Sequence, residues 1–341
     1  MKKKTLPSYF TICIVWFLVK TTGCFGQSPE FSIREFASGQ IKKGVRSIGM
    51  GGDGATWGNY SLVYRDSNTV LVDAGNSSYS NDNNFSFTAL GVVLPPFKNG
   101  LTIFALALSQ YASNISTSLK SPGFGNSALP VHGDGNNQSI FAKAAMPIGK
   151  KISIGILVSY ERSQFNGVAD LSPLSVRYQT NWLPSGGFGI TWQANKRFLL
   201  GVRALFNNDN ETRIDNLGST TGLNNTQEYR AGVSAGLWKG ALVDVGGNIR
   251  HRENQLNNVN ATSTQPNLGF EQNLWKRHFA FRFGLDETSK TFGMSFRFSP
   301  IAFDLAFVDN LAIERLGSLF GTSSNSLIAT FVFDYASLRK K

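Results

Sequence analysis

Gly49-Met50-Gly51-Gly52-Asp53-Gly54 has the spacing G-x-G-x-x-G. In a nucleotide-binding protein that spacing lets a strand-to-helix turn press backbone amides against a pyrophosphate. The chemistry requires a buried strand before the first glycine and a helix opening on the last. IKKGVRSI (41–48) is too polar for that strand, and ATWGNYS (55–61) opens a helix poorly. Asp73 stands at a suitable distance for a ribose, but no crossover helix follows, so no nucleotide site is expected. Acyl-transfer chemistry needs a serine, a histidine and an orienting group within reach of one another. His132, His251 and His278 have no such companions at readable spacing. The acids Asp134, Asp209 and Asp215 do not follow a calcium-loop pattern. Both cysteines, Cys13 and Cys24, lie in the leading segment. The residues therefore predict no enzyme, no metal and no cofactor.

A different set of residues can bind rather than react. Arg203, Arg230, Asp244, Arg250, Arg282, Arg297, Asp304 and Asp334 each sit in a segment where apolar residues alternate with small or polar ones. All of them fall on the polar face. Unpaired charge in a confined space is costly, so these groups are expected to pair with one another or with a segment folded inside the enclosed space. Leu157, Leu199, Leu205 and Leu242 share their parity. A hydrophobic ligand with an acidic end would need a greasy wall and a cation beside it. Those four leucines and the cations Arg203 and Arg230 are the candidates.

The elements that must hold these residues are strands. Ile152, Ile154, Ile156, Val158 and Tyr160 alternate with Ser153, Gly155, Leu157 and Ser159. Late in the chain Phe292, Met294, Phe296 and Phe298 oppose Gly293, Ser295 and Arg297. Successive strand side chains point to opposite faces, so each segment has one apolar face and one small or polar face. A water-soluble sandwich carries many charges on its outer face, and these segments do not. Segments of 9–11 residues match strands tilted across a bilayer, where the sheet must close because lipid offers no backbone partners.

Connections alternate between short (95–100, 149–151, 195–197, 238–240, 275–277, 299–300) and long (113–136, 163–184, 207–226, 252–265, 310–326). The predicted fold is all-β, a transmembrane antiparallel barrel over 62–341 with fourteen strands. The count falls to twelve if 62–73 and 266–275 are not strands. Met1 to Gln27 reads as a secretory signal, with three lysines ahead of the apolar run Phe10 to Val19. Gly23-Cys24 offers a lipoprotein site as the alternative. The net charge of +11 includes four lysines of this leader. Lys98, Lys150, Lys151, Lys196, Arg197, Lys239, Lys276 and Arg277 gather at the short turns. There they can meet anionic lipid headgroups on the periplasmic side of the outer membrane, or serve simply as ordinary strand-edge charges. They are not interleaved with aromatics as a nucleic-acid surface would be.

The glycine segment acquires a meaning from its neighbours. Arg46-Ser47-Ile48-Gly49-Met50-Gly51-Gly52, then Ala55 and Leu62-Val63-Tyr64, resembles the N-terminal signature of FadL-type outer-membrane transporters of fatty acids and aromatic hydrocarbons. Glu35-Phe36-Ala37-Ser38-Gly39 and the last strand, Phe331 to Tyr335, are similar to that family as well. The resemblance implies a fourteen-stranded barrel in the bacterial outer membrane, acting as a monomer. It also implies a hatch over 28–61 folded inside the lumen, with passive uptake of small hydrophobic compounds. Gly49, Gly51, Gly52, Asp53 and Gly54 would belong to the hatch. Asp66-Ser67-Asn68 stand where the family carries Asn-Pro-Ala, and Asp53 replaces a small residue. A related barrel serving as a periplasmic or secretion partner, as in type IX secretion, is the alternative. A structural barrel without transport and a lipid-acting barrel enzyme are others.

Overall fold

The computed structural model describes residues 69–79, 84–94, 97, 100–120, 128–169, 175–180, 182–215, 218–255, 259–275, 278–286, 290–298, 300–310 and 324–334. The expected signal, the hatch with Gly49, Gly51, Gly52, Asp53 and Gly54, and the Asp66-Ser67-Asn68 site lie outside them.

Fifteen strands follow one another: β1 (Thr69–Tyr79), β2 (Asn84–Val93), β3 (Thr102–Lys120), β4 (Ala128–Ile148), β5 (Ile152–Ala169), β6 (Ser175–Thr180), β7 (Leu183–Asn195), β8 (Phe198–Asp215), β9 (Gly218–Gly236), β10 (Ala241–Asn254), β11 (Val259–Leu274), β12 (Phe279–Asp286), β13 (Lys290–Phe298), β14 (Ile301–Asn310) and β15 (Ser324–Asp334). Every pairing is antiparallel. β1 pairs with β15 from Thr69↔Asp334 to Tyr79↔Ser324, so the sheet closes on itself. Closure removes the edges that lipid could not satisfy.

The count differs from the expected fourteen because β6 and β7 share one position in the ring. β5 pairs with β6 over Gln164–Val168 and with β7 over Ile152–Glu161. β8 likewise pairs with both. The ladder breaks between Thr180 and Leu183, just before Pro184, whose ring removes a donor.

The barrel is inside-out relative to a soluble protein. Along β5, Ser153, Gly155, Leu157, Ser159 and Glu161 are buried, while Ile152, Ile156, Val158 and Tyr160 are exposed. Phe283, Phe298 and Phe307 are exposed too, as are Ile190, Trp192, Val202 and Ile249. A continuous belt of this kind is stable only in hydrocarbon. Short turns close one rim, with glycines at positive φ: Gly100 (81°), Gly149 (68°) and Gly240 (84°). Asn195 holds another turn by accepting the Arg197 and Phe198 amides at 2.8 and 3.1 Å.

Wall height is uneven. β3, β4, β5, β8 and β9 run 18–21 residues, whereas β12 to β15, β1 and β2 run 8–11. Much of the sequence expected as loops at 113–136, 163–184, 207–226 and 252–265 is therefore strand. Polar residues on both faces erase the alternation that marks a strand, yet the ladder continues in water. Thr212 and Thr221 pair across it at 3.1 Å. The first described strand, Thr69–Tyr79, overlaps the expected 62–73 at 69–73, residues 62–68 lying outside the described ones, and the second expected weak strand, 266–275, is the lower part of β11.

Candidate functional site: the lumen wall

Register brings the inward residues into rows. One row reads Lys143, Leu157, Gly187, Leu205, Glu228 and Arg250 across β4, β5, β7, β8, β9 and β10. The next reads Ala145, Gly155, Gly189, Arg203, Arg230 and Asn248. Gly155, Gly187 and Gly189 leave this stretch of wall without side chains. Leu157 and Leu205 flank it, and cations stand at either end.

The cations are held differently. Arg203 and Arg230 lie directly opposite each other, an arrangement that repels. Glu228 offsets the repulsion. Its Oε1 accepts Arg203 Nη2 at 3.3 Å and Arg230 Nε at 2.5 Å, and its Oε2 accepts Arg250 Nη2 at 2.8 Å. The side chains of Arg203 and Arg230 are almost fully buried, whereas that of Arg250 keeps 29% of its surface exposed. On the other end, Lys143 Nζ sits 5.7 Å from the Phe104 ring centre and 5.9 Å from that of Phe141. An ammonium over two ring faces is stabilised by their quadrupoles. Leu106, Phe141, Leu157 and Phe165 are buried there. Above Leu157, Ser159 contacts Glu161 at 3.0 Å and Ser185 at 2.5 Å.

A second ionic cluster lies farther round the ring. Arg282, with no exposed surface, donates from Nε to Glu271 at 2.7 Å and from Nη1 to Asp304 at 3.4 Å. Ser295 donates to Asp304, Ser234 donates to Asp244, and Asn273 donates to Glu271 at 2.9 Å. Arg282 Nη2 is buried without a hydrogen-bond partner among the described residues, so the two carboxylates carry the compensation of this cation and removing either would be strongly destabilising.

The sequence-predicted residues are thus partly gathered. Arg203 and Arg230 meet in the Glu228 cluster, and Leu157 and Leu205 line the bare stretch beside it. Leu199 and Leu242 are half-buried on neighbouring rows. Asp244, Arg250, Arg282 and Asp304 are inward, and Arg297 is half-buried. The Asp334 side chain lies outside the described residues. Sequence reasoning missed Lys143 and Glu228. Both were legible by parity: Lys143 alternates with Ala142 and Ala144, and Glu228 shares the face of Arg230. His132 and His278 are exposed, and His251 contacts Thr262 at 3.0 Å. Among the described residues no three His, Cys, Asp or Glu side chains come together to hold a metal ion.

No family model matches the chain, and no curated protein matches it. Solved structures do. The Pseudomonas putida toluene transporter TodX matches at 10% identity and TM-score 0.55, covering 85% of this chain and 97% of its own. The monoaromatic hydrocarbon channel CymD matches at 12% identity and TM-score 0.53, covering 87% and 98%. A Pseudomonas aeruginosa FadL homologue matches at 8% identity and TM-score 0.54, covering 90% and 99%. The chain has the fold of these channels. At such identities the likeness speaks for the barrel, and the function must be argued from the lumen.

Proposed function

We propose that this chain is a bacterial outer-membrane channel for passive entry of small hydrophobic compounds. The observation that carries the reading is the side-chain-free stretch at Gly155, Gly187 and Gly189. Leu157 and Leu205 flank it in register, and aromatic and aliphatic residues lie beside it on β3 to β5. Gly155, Gly189 and Leu157 are buried and Leu205 is half-buried, so a solute reaches this wall only as the lumen opens; there it displaces water from apolar surface, and Lys143 and Arg250 set a cation at each end. Arg203 and Arg230 act on a ligand through Glu228 and Arg250. Leu199 and Leu242 extend the apolar lining. The sharing of this fold with channels for toluene and monoaromatic hydrocarbons supports the substrate class.

The outer face is solvated by membrane lipid, and the barrel works as a monomer. Residues 28–61 are assigned to a hatch. Support comes from the start of β1, where Thr69 pairs with Val93 and Asp334 at the short-turn rim.

The test is uptake of labelled toluene and of labelled oleate by cells with a tight outer membrane that express the chain. Uptake above the empty-vector level is expected for at least one probe, with Gly187→Leu cutting it about tenfold by filling the bare wall. Uptake of both probes at the empty-vector level would reject the channel reading.

A further inference from the structure

β11 is paired with β10 over all but its last two residues, from Gln272↔Ala241 to Val259↔Asn254. With β12 it pairs only from Leu274 to Asn267. Val259–Pro266 therefore has a strand on one side and, among the described residues, none on the other. In an antiparallel ladder, alternate residues of such a segment point their amide and carbonyl away from the existing partner. The pairing with β12 begins at Asn267, directly after Pro266, which has no N–H to offer a strand on that side.

The segment stands clear of the bilayer. On its outward face the apolar Leu268 and Phe270 give way to Thr264, Thr262 and Asn260. Asn260, Thr262, Ser263 and Thr264 are exposed. Side chains also tie it to β10. Asn248 donates to Gln265 at 3.2 Å, and His251 contacts Thr262 at 3.0 Å. Proteins normally blunt a free edge with charge, a bulge or extreme shortness. VNATSTQ (259–265) carries no charge. Among the described residues Ile115–Lys120 of β3 is likewise unpaired on its β2 side, and it ends on a lysine.

We propose that the upper part of β11 is a strand-addition site for an extended, uncharged, Thr/Val-rich segment of another polypeptide. Main-chain hydrogen bonds would supply affinity, and Thr262 and Thr264 would pair across the new ladder with β-branched side chains. A second copy in the same bilayer stands the same way up, so its β11 could add only in parallel, the weaker geometry, and its antiparallel edge at Ile115–Lys120 of β3 ends on a charged lysine. This inference is independent of what passes through the lumen.

The test is amide hydrogen exchange on the full chain in lipid nanodiscs, read residue by residue over 260–265. Ile249–Glu253 of β10, paired on both sides at the same height, is the reference. The probe is a ten-residue peptide of alternating Thr and Val with a lysine at each end. Alternate amides of 260–265 should exchange about a hundredfold faster than the reference without peptide, and slow about tenfold with it. Asn260→Lys combined with Thr264→Lys should abolish the slowing while the barrel keeps its heat-modifiable gel mobility. Three results would overturn the proposal. The amides could be protected without peptide, which means the chain itself or a second copy already covers the edge. The peptide could fail to slow them. The double-lysine variant could bind as well as the parent.

Discussion

Glu228 shows how one carboxylate can decide whether a stretch of wall folds. It stands between two arginines that face each other on adjacent strands and a third that reaches the lumen. Glu228→Gln leaves Arg203 and Arg230 opposed without an anion between them. We expect a loss of about 3–5 kcal/mol in urea-induced unfolding from lipid vesicles, followed by tryptophan fluorescence. Arg250→Met should cost only about 1 kcal/mol, because that side chain is partly hydrated already. Equal losses for the two variants would show that Glu228 does not organise the cluster. Parity placed Arg203, Arg230, Asp244 and Arg282 on the inner face from sequence alone. Their partners were not legible, because a pair such as Arg282 with Glu271 depends on the register between β11 and β12. Turn geometry and loop length set that register, and no single strand carries it.

At the level of elements, the lower barrel was readable and the upper barrel was not. Lipid on one side forces strict alternation, as in β5 and β13, and alternation is what a sequence shows. Above the membrane both faces meet water, and β3, β4, β8 and β9 continue as Asn-, Thr- and Ser-rich strands that resemble loops. β6 was hidden for the same reason. The short turns were legible and can be tested. Gly240 has φ +84°, and a Cβ there would come within 2.6 Å of the Asn273 carbonyl oxygen. Gly149 has φ +68° with open space around it. Gly149→Ala should cost about 1 kcal/mol from backbone strain alone, and Gly240→Ala clearly more because the β11 end must shift as well. Urea midpoints of the two variants, measured side by side, check the order; a reversed order would contradict the turn geometry.

For the molecule as a whole, the decisive quantity is what fills the cylinder. A hatch over 28–61 predicts that deleting those residues converts a closed barrel into a wide pore. Planar-bilayer recordings should then show large, steady conductance steps that the full chain lacks. Identical traces from both would remove the hatch. The uneven rim has a further consequence. Among the described residues the wall stands taller along β3 to β5 and β8 to β9 than from β12 round to β2. That asymmetry gives the molecule a heading in the plane of the membrane: a visitor that must touch both protein and bilayer meets a different surface on each bearing, and crowding by neighbouring barrels weighs differently on each.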